Sequence, residues 1–185
     1  AEAVTGASIS SLLSLISLSL LKRDLQHGGR YTMHELLRQF ALAKLADSPD
    51  TYAEAERAQA EFYLGFAERV APELKGPEQA EWLERVALEL DNLRAAFATF
   101  KRRGEAERGV RLAAALEWFF YVRGLFAEGV GWLESFLHDP AVPEAVRAKG
   151  LRSLASLGKE LGKSEASREQ FQESLELFRA AGDRA

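Results

Sequence analysis

From Thr51 to Ala181 the apolar residues return at steps of three and four, the spacing that lays them along one face of a helix. Ala55, Ala58, Phe62, Phe66 and Val70 form one such stripe, in a helix expected from about Thr51 to Leu74. A second helix, Glu78 to Arg103, carries Trp82, Leu83, Val86, Leu90, Leu93, Phe97 and Phe100 and stops at Gly104. Arg108 to Val122 and Phe126 to Leu137 form a pair joined through Gly124. Ala145 to Leu161 and Ser164 to Ala181 form another, joined at Gly162 and Lys163. Gly76-Pro77, Gly104, Gly124, Pro140, Pro143 and Gly162 mark the joints, where a helix has to stop. A chain patterned in this way can bury its apolar faces only by packing helix on helix.

The first 46 residues read differently. Ile9, Leu12, Leu13, Ile16 and Leu20 give an apolar helix face, with Thr5 or Ser8 as its cap. The run Ile9 to Leu21 is short of the roughly 20 apolar residues that span a bilayer. Five serines punctuate it, so it is expected to be a buried helix, with no membrane role. Leu20 to Leu25 and Arg30 to Met33 are strand-like, around the turn residues Gln26-His27-Gly28-Gly29. Leu36, Leu37, Phe40, Ala41 and Leu45 then share a helix face. A helix, a β-hairpin and a helix are the trailing part of a winged helix. The chain is therefore expected to begin inside a domain of a longer protein, with a boundary at Asp47-Ser48-Pro49-Asp50.

Placing Gly124 over Gly162, 38 positions apart, sets Leu116 on Leu154, Leu133 on Phe171 and Leu137 on Leu175. That period slightly exceeds the 34 of a tetratricopeptide unit. The small residue early in the second helix is Gly129 in one copy and Ser167 in the other. The large residue before the turn is Phe120 in one and Gly158 in the other, so the repeats are degenerate. The fold class expected is mostly α: a partial winged helix over 1–46, then a tetratricopeptide-like array over 50–185.

Composition removes several functions. A formal net charge of −4 over 185 residues argues against a general nucleic-acid binder, because phosphate contacts need a basic surplus. Without cysteine there is no disulfide framework and no thiolate metal site, which suits a cytoplasmic protein. His34-Glu35 opens like a zinc-protease motif, but Arg38 stands where the second histidine belongs. His27, His34 and His138 are scattered, and nothing pairs them with a nucleophile. No catalytic or metal residue is assigned.

Four runs carry a family resemblance. They are Val4-Thr5-Gly6-Ala7-Ser8 with Ser19-Leu20-Leu21; Met33-His34-Glu35-Leu36-Leu37-Arg38-Gln39-Phe40-Ala41; Gly76-Pro77-Glu78-Gln79-Ala80-Glu81-Trp82-Leu83; and Glu89-Leu90-Asp91-Asn92-Leu93-Arg94-Ala95-Ala96. With these the chain resembles the region after the nucleotide-binding domain in bacterial STAND-class regulatory ATPases. Those proteins are fused to LuxR-type or antibiotic-regulator-type transcription factors and sometimes to nucleotidyl cyclases. The resemblance implies a winged helix packed on an upstream nucleotide-binding domain and helical repeats that sense a protein or small-molecule effector. ATP and Mg²⁺ would belong to that upstream domain, since no G-x-x-x-x-G-K-[ST] loop occurs here and this region holds no cofactor. It also implies that the wing, with Lys22, Arg23 and Arg30, packs inside the protein, so direct nucleic-acid contact is not expected. Lys101-Arg102-Arg103 ends a helix, where cations suit the dipole.

Trp118, Phe119, Phe120 and Tyr121 cover every direction around a helix, so all four cannot point inward. In the repeat register Arg111, Trp118 and Tyr121 fall on positions lining a concave groove, and Lys149, Arg152, Ser156 and Lys159 face the same groove. Aromatic anchors beside a cationic wall suit an acidic peptide or an anionic ligand. The plainer alternative is that Trp118 and Tyr121 pack on the preceding helix.

Overall fold

The computed structural model describes residues 4, 6–24 and 30–182, and is mostly helical. The chain forms two compact units, Ala1–Phe62 and Tyr63–Ala185. In the first, helix α1 (Ile9–Ser17) starts at Ser8, whose Oγ accepts the Ser11 amide at 3.2 Å. Ser14 and Ser17 turn their hydroxyls back onto the Ser10 and Ser14 carbonyls, at 3.0 and 2.8 Å, so the serine-rich helix satisfies its own polar groups. Strands β1 (Lys22–Asp24) and β2 (Arg30–Thr32) pair antiparallel, with Lys22 opposite Thr32 and Arg23 opposite Tyr31. The expected turn at Gln26 to Gly29 lies outside the described residues, as does Thr5.

Helix α2 (Glu35–Ala46) is capped by His34, whose Nδ1 accepts the Leu36 amide at 3.3 Å. Hydrogen bonds from the Arg38 guanidinium, then the Gln39 amide, hold the Glu35 carboxyl down at about 2. The expected burial of α1 is not found: neither α1 nor α2 buries a residue. Ile9, Leu13, Leu36 and Phe40 are each more than half exposed. The physical reason is that two short helices and two three-residue strands, among the described residues before α3, have too little surface to enclose a core of their own.

Helix α3 (Pro49–Val70) follows after only Asp47 and Ser48, and it ends sooner than the expected Leu74. Pro72 has no N–H to continue the ladder, and Glu73–Lys75 forms a single 3₁₀ turn. The division between the compact units falls within α3, at Phe62 and Tyr63. The expected helix Glu78–Arg103 is two helices, α4 (Gln79–Leu88) and α5 (Leu90–Arg103). They meet at Glu89, whose carboxylate takes hydrogen bonds from the Tyr63 hydroxyl at 2.8 Å and Asn92 Nδ2 at 2.7 Å. The expected helix Arg108–Val122 likewise divides into α6 (Ala106–Ala115) and α7 (Glu117–Val122). At this second break the amide of the fully buried Leu116 is shared between the Leu112 and Ala113 carbonyls, both at 3.2 Å.

Helices α8 (Phe126–Leu137), α9 (Glu144–Glu160) and α10 (Ser164–Ala180) complete two successive helical hairpins. Their turns match. Gly124 and Gly162 both take the left-handed conformation, with φ of 66° and 77°. The following amides, Leu125 and Lys163, reach back to the Phe120 and Gly158 carbonyls at 2.8 and 3.1 Å. Helix α9 packs on α8 and α6 as well as on α10, so the second hairpin covers the first.

The 38-residue register is visible in the packing. In the first hairpin a Cβ on Gly129 would meet Phe120 Cδ2 at 2.9 Å and Leu157 Cδ1 at 2.6 Å. In the second, a Cβ on Gly158 would meet Ser167 Oγ at 3.1 Å. The same two positions touch in each hairpin, a large residue over a small one in the first and two small residues in the second. Leu116 and Leu154 are both buried, as the register expects. Leu133 and Leu137 are buried too, while their counterparts Phe171 and Leu175 are 42% and 48% exposed. Behind the hairpins Phe97 stacks on Trp132 at 4.7 Å between ring centres, with Phe136 beside both.

An ionic fork ties α5 to α8: Arg94 Nε and Nη2 donate to Glu128 at 2.8 and 2.9 Å. The fork holds the Glu128 carboxyl below its ordinary 4.5 and Arg94 above its ordinary range. Because the folded value is the lower one, this stabilisation is complete above about pH 4.5 and is lost as the pH falls further. In a pH series of thermal melts, Arg94→Gln should therefore reduce the melting temperature at neutral pH and converge on the unaltered protein in acid. Gly129→Ala should cost about 1–3 kcal/mol by urea titration, because Leu157 and Phe120 stand in the way. Gly131→Ala, on the same helix with nothing within 4 Å of the new methyl, should be neutral or stabilising.

Candidate ligand cavity

Packing α9 across α6 leaves a hollow of about 300 Å³ beside the end of α3. Close contact on one side creates it. A Cβ on Gly150 would meet Val110 Cγ1 at 2.6 Å, so the two helices touch there, while the short side chains of Ala114 and Ala115 fail to fill the space alongside. The lining is Glu68 and Ala71 from α3 and the residue after it, Val110, Arg111, Ala114 and Ala115 from α6, and Val146, Lys149 and Arg152 from α9. Three cations and one carboxylate therefore surround an aliphatic floor.

The charges are unequally engaged. Arg111 forks onto Glu68, with Nε and Nη2 donating at 2.8 and 3.0 Å, and Glu107 lies 3.8 Å from its Nη1. Both partners are 40% exposed, so the pair is worth only about 0.2–1 kcal/mol. Arg152 donates through Nη2 to Glu117 Oε2 at 3.1 Å, and the buried Ser153 hydroxyl donates to the same oxygen at 2.8 Å. Lys149 is exposed and makes no hydrogen bond or ion pair among the described residues. It stands one turn from Arg152 on the same face of α9, a like-charge arrangement that mildly opposes folding.

Of the residues picked from sequence, Arg111, Lys149 and Arg152 come together in this cavity, and Trp118, Tyr121, Ser156 and Lys159 do not line it. Trp118 lies flat against Tyr121, with ring centres 5.4 Å apart and planes 9° from parallel. Lys75 Nζ sits 5.0 Å from the Trp118 ring centre, and Phe126 meets Tyr121 edge-on at 5.8 Å. Trp118 thus packs against the turn that follows α3, and its buried Nε1 has no hydrogen-bond partner among the described residues. Phe119 and Phe120 are the inward pair of the four aromatics. Ser156 is half-buried on α9 and Lys159 exposed near its end. Sequence reasoning missed Glu68 and the alanine floor. Glu68 lies 43 residues from Arg111 on a helix with no repeat partner in the 38-residue register, so only the folded chain shows the pair.

No group of three or more histidine, aspartate or glutamate side chains arranged to hold a metal occurs among the described residues. None of the described helices is long and apolar enough to cross a membrane. In the hairpin, Lys22 and Arg23 are exposed on β1. Arg102 and Arg103 at the end of α5 bond Thr99 and Glu105, at 3.2 and 2.9 Å, as local helix-end contacts. Glu117, largely but not fully buried, is the acceptor that anchors Arg152 and Ser153. Glu117→Ala should cost about 1–3 kcal/mol in a urea titration, because the Ser153 hydroxyl keeps no acceptor. Adding Ser153→Ala to it should recover part of that loss.

No family model matches the chain, and no solved structure matches it. The chain is similar to proteins of Mycobacterium bovis and of two Mycobacterium tuberculosis strains, each named a "putative HTH-type transcriptional regulator". Identity is 31% over 187 aligned residues, taking in 96% of this chain. The chain spans about one fifth of these relatives' length, 21%, so nearly all of it is similar to one segment of a much longer regulator.

Proposed function

We propose that this chain is the non-catalytic sensor and partner-binding region of a signal-responsive regulatory ATPase of the STAND class that controls transcription. The observation that carries the reading is the similarity of 96% of the chain to one segment of proteins named as transcriptional regulators. Two features of the fold support it. The paired strands followed by α2 have the order of the end of a winged helix. The two hairpins, matched at 38 residues in their turns and in their Phe120–Gly129 and Gly158–Ser167 contacts, suit tetratricopeptide-like repeats. In this reading the ATP, the Mg²⁺ and the hydrolysis belong to a nucleotide-binding domain elsewhere in the polypeptide. The protein works in the cytoplasm, and the hairpin packs against that domain instead of on DNA. An effector on the helical repeats shifts the population between closed and open states, by as much as its affinities for the two differ.

Exposed Lys22 and Arg23 favour one second reading, a nucleic-acid contact through the wing. The coding sequence upstream of Ala1 tests the first reading. A G-x-x-x-x-G-K-[ST] loop within a few hundred codons is the expected outcome. Its absence removes the switch and leaves a repeat scaffold that only holds protein partners. DNA binding by the purified chain that falls steeply with salt, and is lost in the Lys22→Gln, Arg23→Gln double variant, would replace the packing role of the wing.

A further inference from the structure

We infer that the cavity between α3, α6 and α9 is a binding site for an aliphatic carboxylate, held by Lys149 and Arg152 and competing with Glu68 for Arg111. The inference rests on the sensor reading for its purpose, but its physical basis is the cavity itself.

The chemistry of the ligand follows from what the lining offers and what it lacks. Arg152 has spent one N–H on Glu117 and keeps the rest, and Lys149 keeps all three. These donors stand one helical turn apart and repel each other, so an anion between them removes a cost as well as adding an attraction. Nothing in the lining supplies a hydroxyl or amide: its neutral members are three alanines and two valines. A sugar or other polyhydroxylated ligand would bury hydroxyls there without partners. Short methylene or methyl groups suit the floor. At about 300 Å³ the space lies at the lower end of small-ligand pockets, which run from about 300 to 1,000 Å³, and favours a compact molecule.

Carboxylate is preferred among anions because the cavity already contains the interaction. Arg111 meets Glu68 fork to fork, two parallel N–H···O bonds onto a planar group. That pair is half-exposed and weak, so a second carboxylate entering beside it competes with Glu68 for Arg111 at little cost. Glu68 thus sets the affinity: it neutralises one of three cations in the empty site and repels any incoming anion. The carboxylate can be a free metabolite or the acidic side chain of a bound partner segment, and the two sources are separable by experiment.

The test is a titration of the purified chain at constant ionic strength, following the NMR methyl signals of Val110, Ala114 and Val146. The probes are glutarate, its neutral diamide, inorganic phosphate and a capped peptide carrying two glutamates. Glutarate or the acidic peptide should shift these methyls and the diamide should not. Saturation by glutarate marks a free metabolite as the natural source, and saturation by the peptide alone marks a partner segment. Lys149→Gln should weaken the bound probe by up to about fivefold, and Glu68→Gln should tighten it by a similar factor, the scale of one half-exposed ion pair. Lys149→Arg, which restores the charge, should bind nearly as well as the unaltered chain. Arg168→Gln, an exposed cation on α10 outside the cavity, should change nothing. No shift with either carboxylate probe overturns the proposal, as does equal weakening by Lys149→Gln and Arg168→Gln, or phosphate binding as tight as glutarate. A missing upstream phosphate loop would remove the switch while leaving this binding result intact.

Discussion

The close approach of α7, α8 and α9 around Gly129 is the contact on which the second unit depends. Gly129 has no side chain to hold Phe120 and Leu157 away, and both are fully buried. Helices that meet at this distance bring a long row of apolar atoms into van der Waals range, and each pair contributes little alone. Substituting even a methyl would push three helices apart together. The left-handed turns at Gly124 and Gly162 serve the same packing, because they return each second helix against its first at a fixed angle.

The cavity is a by-product of that packing. Where α6 and α9 touch, at Gly150 and Val110, no space remains. Alongside, Ala114 and Ala115 are too short to bridge the gap that the cylindrical shape of the helices leaves. Charged side chains then fill the rim, because Lys and Arg can lay their methylenes on an apolar floor and keep their charges in water. A binding site of this kind needs no dedicated loop. It needs small residues at the facing positions and long cationic ones at the edge, and both are set by helical spacing.

Much of the architecture was legible in the sequence because glycine and proline mark the joints and the apolar period marks the faces. Both hairpins of the second unit and their turns are of this kind. The breaks at Glu89 and Leu116 were not legible, since one comes with a hydrogen bond from Tyr63 and the other with a buried leucine. Neither leaves a mark in local composition. At the site, Arg111, Lys149 and Arg152 emerged from the repeat register, which sees positions on successive helices. Trp118 could not be placed from sequence, because an aromatic in a groove register looks the same whether it waits for a ligand or stacks on the tyrosine three residues along. The apolar faces of α1 and α2 were read correctly as helical, and that of α1 wrongly as buried, because periodicity reports the face and not what covers it.

The two hairpins meet at matching positions with different bulk: Phe120 over Gly129 in one, Gly158 beside Ser167 in the other. What one position can hold depends on what stands at the other. A contact of this kind changes along a coupled path. A phenylalanine arriving at 158 is harmful until 167 has shrunk, and a larger residue at 129 is harmful until 120 has given way. Two hairpins with the same backbone can therefore carry quite different residues at such a contact. A comparison that scores each position alone does not register the coupling.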